Sequence, residues 1–281
     1  MKTIAVLTDF STGSAHATLF ALHIAKKMKA KVLLFSVRPV QAATQLVFAG
    51  EQESFFEQEH ALVDFGRRMA LDMAARAFPG SYLPEVSIDC DSSEIVDVMT
   101  TIMYNEEISL IVTAPAAEND LVAFILSDVC NKIIDWATVP VLVVPEYAPI
   151  RNFEKIAFAS QLHEEDINSI AELGNLLESF AAELMVAHLN DNPLDITMRE
   201  AEEKLNRDLY KKLNCGGVYF RSIPELHKHK TWDWLKANKK TDLLAVVQQP
   251  REQMARFFKR GQNEAITYHL TLPVMILPKK P

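Results

Sequence analysis

The chain has 281 residues, of which 49% are hydrophobic and 23% charged, with only 8 glycines and a formal net charge of −8. That composition can fill folded cores, excludes a disordered or fibrous chain, and contains no apolar run near the roughly 18 residues of a spanning helix. Residues 1–149 hold 10 basic and 19 acidic side chains against 19 and 18 in residues 150–281, so the halves carry −9 and +1, and the acidic half argues against nucleic acid or anionic membrane as partners.

Thr3–Thr8 is a short apolar run that predicts a strand ending at Asp9, too early for a signal-like stretch to form. Ser11 and Ser14 supply helix-start chemistry, and Leu19, Leu22 and Ala25 with Phe20, Ile24 and Met28 give an apolar face up to Lys29. A strand over 31–37 follows, then a long helix over 54–78 closed by Pro79-Gly80 and a strand over 85–89. Next come a helix over 92–106 opened by Ser92 and Ser93, a strand over Ile108–Thr113, a helix over 122–136 and a strand over 139–144. Five short apolar strands alternating with helices predict an α/β fold, doubly wound, with a mostly parallel five-stranded sheet covered on both faces.

The pattern then starts again. Strands are predicted over 155–160, 183–188, 218–221, 243–247 and 274–277, and helices over 166–180, 193–213, 230–238 and 252–269. Val139-Pro140-Val141-Leu142-Val143-Val144-Pro145 returns as Leu272-Pro273-Val274-Met275-Ile276-Leu277-Pro278, and the opening Lys2-Thr3-Ile4-Ala5-Val6 returns as Glu154-Lys155-Ile156-Ala157-Phe158. The offset falls from 152 at the first strand to 133 at the last, so the second copy is the shorter. Two domains are expected, 1–147 and 151–281, joined by the glycine-free linker 145–152. Cys90, Cys130 and Cys215 show no ligand spacing and read as buried thiols in a reducing, cytoplasmic setting.

The strand end Thr8-Asp9-Phe10-Ser11, the small-residue helix after it, the second strand ending at Val37 and the closing Pro140-Val141-Leu142-Val143-Val144-Pro145 resemble the universal stress protein family. The whole chain resembles its tandem members, whose fold is that of the adenine nucleotide alpha hydrolases. In the family an adenine-nucleotide site follows a Gly-x2-Gly-x9-Gly-[Ser/Thr] pattern after the fourth strand, where glycines let backbone approach phosphate and a helix N-terminus offers N–H groups. Here those positions hold Ala114, Ala117, Ser127 and Asp128, and in the second copy Val247, Pro250, Arg260 and Gly261. The resemblance also implies that Asp9 and the backbone near Val37 would face adenosine. Read as local chemistry, Asp9 caps the following helix instead, and both readings stay open at this point.

Asp128 puts a carboxylate where phosphate would sit, and a like-charge pair at ~4 Å costs on the order of 4 kcal/mol at an effective dielectric of about 20. No cofactor is therefore expected, with ATP or AMP as the alternative. Lys259 and Arg260, near Arg251 and Arg256, are read as a solvated basic face, with an anion site as the other reading, and Phe257-Phe258 as a packed pair or a docking patch. His163-Glu164-Glu165-Asp166 reads as helix-start acids, and His227-x-His229 as a polar loop without a third ligand. No nucleophile elbow, P-loop or HExxH occurs. The expectation is a non-enzymatic stress-response module acting through an unidentified protein partner, the alternative being an adenine-ligand sensor built on the first copy. Exposed closing strands invite aggregation, so the two copies are expected to pair as a pseudo-dimer, with a homodimer of whole chains open.

Overall fold

The computed structural model describes residues 2–37, 51–78, 80–89, 94–115, 121–163, 165–176, 178–190, 195–212, 217–224, 241–259 and 272–279. The chain divides into two units, Met1–Arg151 and Asn152–Pro281. In the first, strands β1 (Thr3–Thr8), β2 (Lys31–Ser36), β3 (Val86–Asp89), β4 (Ile108–Thr113) and β5 (Val141–Val143) alternate with helices α1 (Thr12–Met28), α2 (Glu51–Ala75), α3 (Ile95–Tyr104), α4 (Leu121–Ile125) and α5 (Asp128–Trp136). The strand order is β3-β2-β1-β4-β5, and each of these pairings is parallel. All six residues of β1 are buried, as a strand covered on both faces must be. Because parallel crossovers are right-handed, the helices after β1 and β2 fall on one face and those after β3 and β4 on the other. The packing agrees: α1 lies against α2, and α3 against α5.

The second unit repeats this order with β6 (Lys155–Ser160), β7 (Glu183–Asn190), β8 (Val218–Pro224), β9 (Leu243–Val247) and β10 (Val274–Leu277). Its sheet runs β10-β9-β6-β7-β8, again parallel throughout. Helices α6 (Asp166–Leu176), α7 (Ile196–Lys212) and α8 (Arg251–Lys259) and a 3₁₀ turn, Glu178–Phe180, connect the strands. Each unit therefore has a switch point where successive connections leave in opposite directions, between β1 and β4 in the first and between β6 and β9 in the second. Doubly wound folds bind ligands at such points, outside the carboxyl ends of the strands.

Several boundaries differ from the sequence expectation. The helix expected over 122–136 is two helices, because Ser127 has extended backbone and caps a new helix with its own side chain. The helix expected over 54–78 spans Glu51–Ala75, and the chain leaves it through a tight turn in which Arg76 N donates to Met73 O. Glu94, with no side-chain cap bond, stands at the cap position of α3; Ser92 and Ser93, expected to open that helix, lie outside the described residues. So do Cys90, Cys215, His227, His229, the helix expected over 230–238 and the part of 252–269 beyond Lys259. Cys130 is fully buried, and burial pushes its thiol far up, out of the reactive range. Among the described residues no helix is long and apolar enough to cross a membrane.

In the second unit a buried carboxylate ties two strands together at their starts. Asp242 Oδ2, just before β9, accepts from Glu154 N at 2.8 Å and Lys155 N at 3.0 Å at the entry to β6. Removing it leaves two donors without their acceptor, so Asp242→Ala should cost about 1.5–3 kcal/mol in urea unfolding. Asp242→Asn keeps a neutral acceptor of about half the strength and should cost correspondingly less. Equal losses in the two variants would show that the negative charge, not the placement of a neutral acceptor, carries the clamp.

Candidate functional site

Asp9, Val37 and Ala114, singled out by sequence, lie at the carboxyl ends of β1, β2 and β4. Val37 N donates to Thr8 O at 2.9 Å, which aligns the exits of β1 and β2 and brings Val37 beside Asp9. Asp9 Oδ1 accepts from Ser11 N at 3.0 Å and from Ser11 Oγ at 2.6 Å, an Asx turn leading into α1. Ser11 in turn is the N-cap of α1 and accepts from Ser14 N at 3.2 Å. One oxygen of Asp9 is thus committed to the helix start.

Thr8 organises the same turn. Its Oγ1 accepts from Phe10 N at 3.0 Å and donates to Ser14 Oγ at 3.0 Å, with Thr8 and Ser14 almost wholly buried. The first bond holds Phe10 at φ 63°, a left-handed conformation that costs a non-glycine residue roughly 1–2 kcal/mol. Phe10 then reaches Phe65 of α2 edge to face, with ring centroids 5.6 Å apart.

The exit of β4 closes on this turn. A Cβ placed on Gly13, in the first turn of α1, would stand 2.9 Å from Pro115 O and 3.9 Å from Ala114 Cβ. Ala114 and Pro115 therefore run directly against the start of α1, on the side where a ligand would enter the switch point. Sequence reading passed over Gly13. Its signal was a glycine inside a helix start rich in small residues. Ala117 lies outside the described residues. Ser127, not Asp128, caps α5: Ser127 Oγ accepts from Cys130 N at 3.2 Å, while Asp128 is the helix's first residue. One N–H at the start of α5 is thereby bonded to the Ser127 side chain.

In the second unit the strand end is built alike. Ser160 Oγ accepts from Leu162 N at 3.0 Å, and Leu162 has φ 62°, the counterpart of Phe10. The partner six residues on is now a carboxylate: Ser160 Oγ donates to Asp166 Oδ2 at 2.6 Å, and Gln161 N donates to the same oxygen at 3.2 Å. Asp166 is 5% exposed. Burial raises its carboxyl above the ordinary range, against the Ser160 hydrogen bond and the charge of His163, which pull it down. His188, at the end of β7, lies with Nδ1 3.0 Å from Ser160 O. Sequence reading took Asp166 for an ordinary helix-start acid; superposing the two strand–turn–helix segments at their 152-residue offset sets it against Ser14 and would have exposed the difference.

A small cleft with room for about one water molecule lies at this second switch point between the ends of β6 and β9, with Met254 of α8 on one side. Lys259 ends α8, and Arg260 and Gly261 lie outside the described residues. Phe258 is buried in the core. Among the described residues no group of three or more His, Cys, Asp or Glu could hold a metal ion. His163 and Asp166 stand at a helix entry, and Glu164 lies outside the described residues.

The Gly13 approach is open to test by the sign of one substitution. Helix propensity alone would favour Gly13→Ala by about 1 kcal/mol, whereas overpacking against a backbone carbonyl costs typically 1–3 kcal/mol. Gly13→Ala should lower the unfolding midpoint; a raised one would mean that the β4 exit is not seated there.

The universal stress protein family model matches residues 1–145. No curated protein matches the sequence. Among solved structures, a universal stress protein from Archaeoglobus fulgidus is similar over 99% of this chain and 96% of its own, with TM-score 0.67 at 12% identity. A putative universal stress protein from Pseudomonas aeruginosa is similar over 99% and 93%, with TM-score 0.53 at 16% identity. The cytoplasmic domain of a prokaryotic cation chloride cotransporter is similar over 99% and 95%, with TM-score 0.57 at 9% identity. At these identities the structural likenesses speak for the fold alone. The match over residues 1–145, more than half of the chain, speaks for descent: the chain belongs to the universal stress protein family.

Proposed function

We propose that this chain is a tandem stress-response protein of the cytoplasm that acts as a non-enzymatic interaction or regulatory module and does not bind ATP. Family membership supports the stress-response role. The shared strand order of the two units, with the same hydroxyl-tied turn after β1 and β6, supports reading the second as a further copy of the first. Pairing of the two closing strands within one chain, and of whole chains into a homodimer, belongs to the same proposal and rests on the edge-strand argument alone.

One observation carries the ATP reading: the Ala114-Pro115 exit of β4 is pressed against Gly13 at the start of α1. Three further features act in the same direction. Ala114 carries a Cβ where glycine would let backbone meet phosphate. Ser127 Oγ takes the Cys130 N–H that an anion would use. Asp128 adds a like charge worth on the order of 4 kcal/mol at ~4 Å and an effective dielectric of about 20, and a helix-dipole gain of roughly 0.3–1 kcal/mol does not offset it.

A second reading has its own observation. Asp9 hydrogen-bonds through Oδ1 only among the described residues, and it stands beside Val37. Asp9 Oδ2 is thus available to a ribose hydroxyl, as an adenine nucleotide or nucleoside sensor in the first unit would require.

Millimolar Mg-ATP should leave the melting temperature unchanged, whereas a ligand at 100 times its dissociation constant would add about 2.7 kcal/mol. A reproducible rise that Asp9→Ala abolishes would replace the leading reading with the sensor. Reversing the substitutions tests the cause. Ala114→Gly, Ala117→Gly, Ser127→Gly and Asp128→Ser together should create calorimetrically detectable ATP binding, and Asp128→Ser alone part of it. A quadruple variant without any binding heat would leave the Pro115 approach to Gly13 as the block and the four substitutions as secondary to it.

A further inference from the structure

Helix α2 lays one side on the core of the first unit, with Leu62, Phe65 and Met69 buried. On its outer side Val63 is 43% exposed and Leu71 62%, and Phe78, just beyond the helix, is 83% exposed. Val63, Arg67 and Leu71 stand four residues apart and form one row of this face. Asp64, Arg68, Asp72 and Arg76 form the next row, alternating in sign, with Arg76 in the turn that ends the helix. Among the described residues the side chains of Asp64, Arg67, Asp72 and Arg76 form no ion pair, while Arg68 lies over the Phe65 ring, 5.8 Å from its centroid. Residues 1–149 carry −9, yet three of their four arginines are Arg67, Arg68 and Arg76, so this face is balanced in charge within an acidic half.

From this pattern we infer that the outer face of α2 pairs two copies of this chain, with the two helices antiparallel about a two-fold axis opposite Ala70. Residues equally far on either side of Ala70 then stand opposite one another, so Asp64 meets the partner's Arg76 and Arg68 meets the partner's Asp72. The two-fold repeats both contacts, and all four charges of the row find a partner at once. The same axis brings the two Leu71 side chains together near its centre and sets Phe78 of each copy at the height of Val63 of the other, within one residue of register. Charge selects a second copy as the occupant, because the row is complementary to itself and two acidic halves repel least where the surface is balanced. The paired stretch from Val63 to Phe78 is about 23 Å long at 1.5 Å per residue, a small contact that makes a weak, concentration-dependent dimer. The inference is independent of the ATP reading and of any pairing through β5 or β10, which would use another surface.

Sedimentation equilibrium of the full chain should show a monomer–dimer equilibrium in the micromolar range. Arg68→Asp and Asp72→Arg, each alone, set like charges together at both symmetry-related contacts and should each weaken association by about tenfold. An equimolar mixture of the two variants should dimerise as tightly as the wild type, since each helix then offers the sign the other lacks, and so should the double variant. Leu71→Glu places two carboxylates at the centre of the contact and should abolish the dimer. These positions are exposed, so each variant should keep the melting temperature of the folded monomer, and the mixture and the double variant keep the test decisive if one substitution disturbs the helix. A chain that stays monomeric, leaving the face to a different protein, would overturn the inference. So would a dimer indifferent to the charge reversals and to Leu71→Glu, which places the contact on another surface such as the closing strands, or a mixture no tighter than its components.

Discussion

In each unit one buried hydroxyl at the end of the central strand fixes everything built above the sheet. Thr8 and Ser160 each accept the N–H two residues ahead and donate to the side chain six residues ahead. The first bond holds a left-handed residue, Phe10 or Leu162, and the second sets the start of the following helix. Without these two bonds the strand would leave a polar group buried and unpaired, at a cost of about 1–3 kcal/mol. The turn and the helix start are thereby set together, and so is the shape of the switch point beside them.

The units diverge at the sixth residue. Ser14 is a small neutral partner, and the first helix turn around it admits Pro115 O against Gly13. Asp166 brings a charge into the same place, and the second switch point keeps a cleft beside it. One architecture thus carries two different surfaces: a crevice crowded by backbone in the first unit, and a small acidic cleft in the second. Their chemistry follows from side chains at matched positions rather than from any change in topology, in keeping with function residing in sites set on a shared fold.

Much of the fold was legible in the sequence because parallel strands buried on both faces appear as continuous apolar runs. Ile108–Thr113 and Thr3–Thr8 have the bounds their patterns predicted. The return of Val139-Pro140-Val141-Leu142-Val143-Val144-Pro145 as Leu272-Pro273-Val274-Met275-Ile276-Leu277-Pro278 pointed to a second unit with the strand order of the first, which the structure has. Helix ends were less legible, since a local side-chain bond decides them. Ser127 splits α4 from α5 although the apolar spacing runs on across it. The site was legible as a set of positions but not as a geometry. Asp9 had a turn reading and a ligand reading, and only its bonds to Ser11 separated the two oxygens. The approach of Pro115 to Gly13 joins residues about a hundred positions apart in sequence, which no local pattern records.

The closure of the first unit's crevice against nucleotide is the central claim, and the protein as purified from cells tests it most directly. The chain should be isolated without added nucleotide and denatured, and the supernatant read by absorbance and mass spectrometry. The account predicts no adenine nucleotide above the level carried by an unrelated control protein. ATP or AMP released in stoichiometric amount, and lost when Asp9 is replaced by alanine, would contradict it.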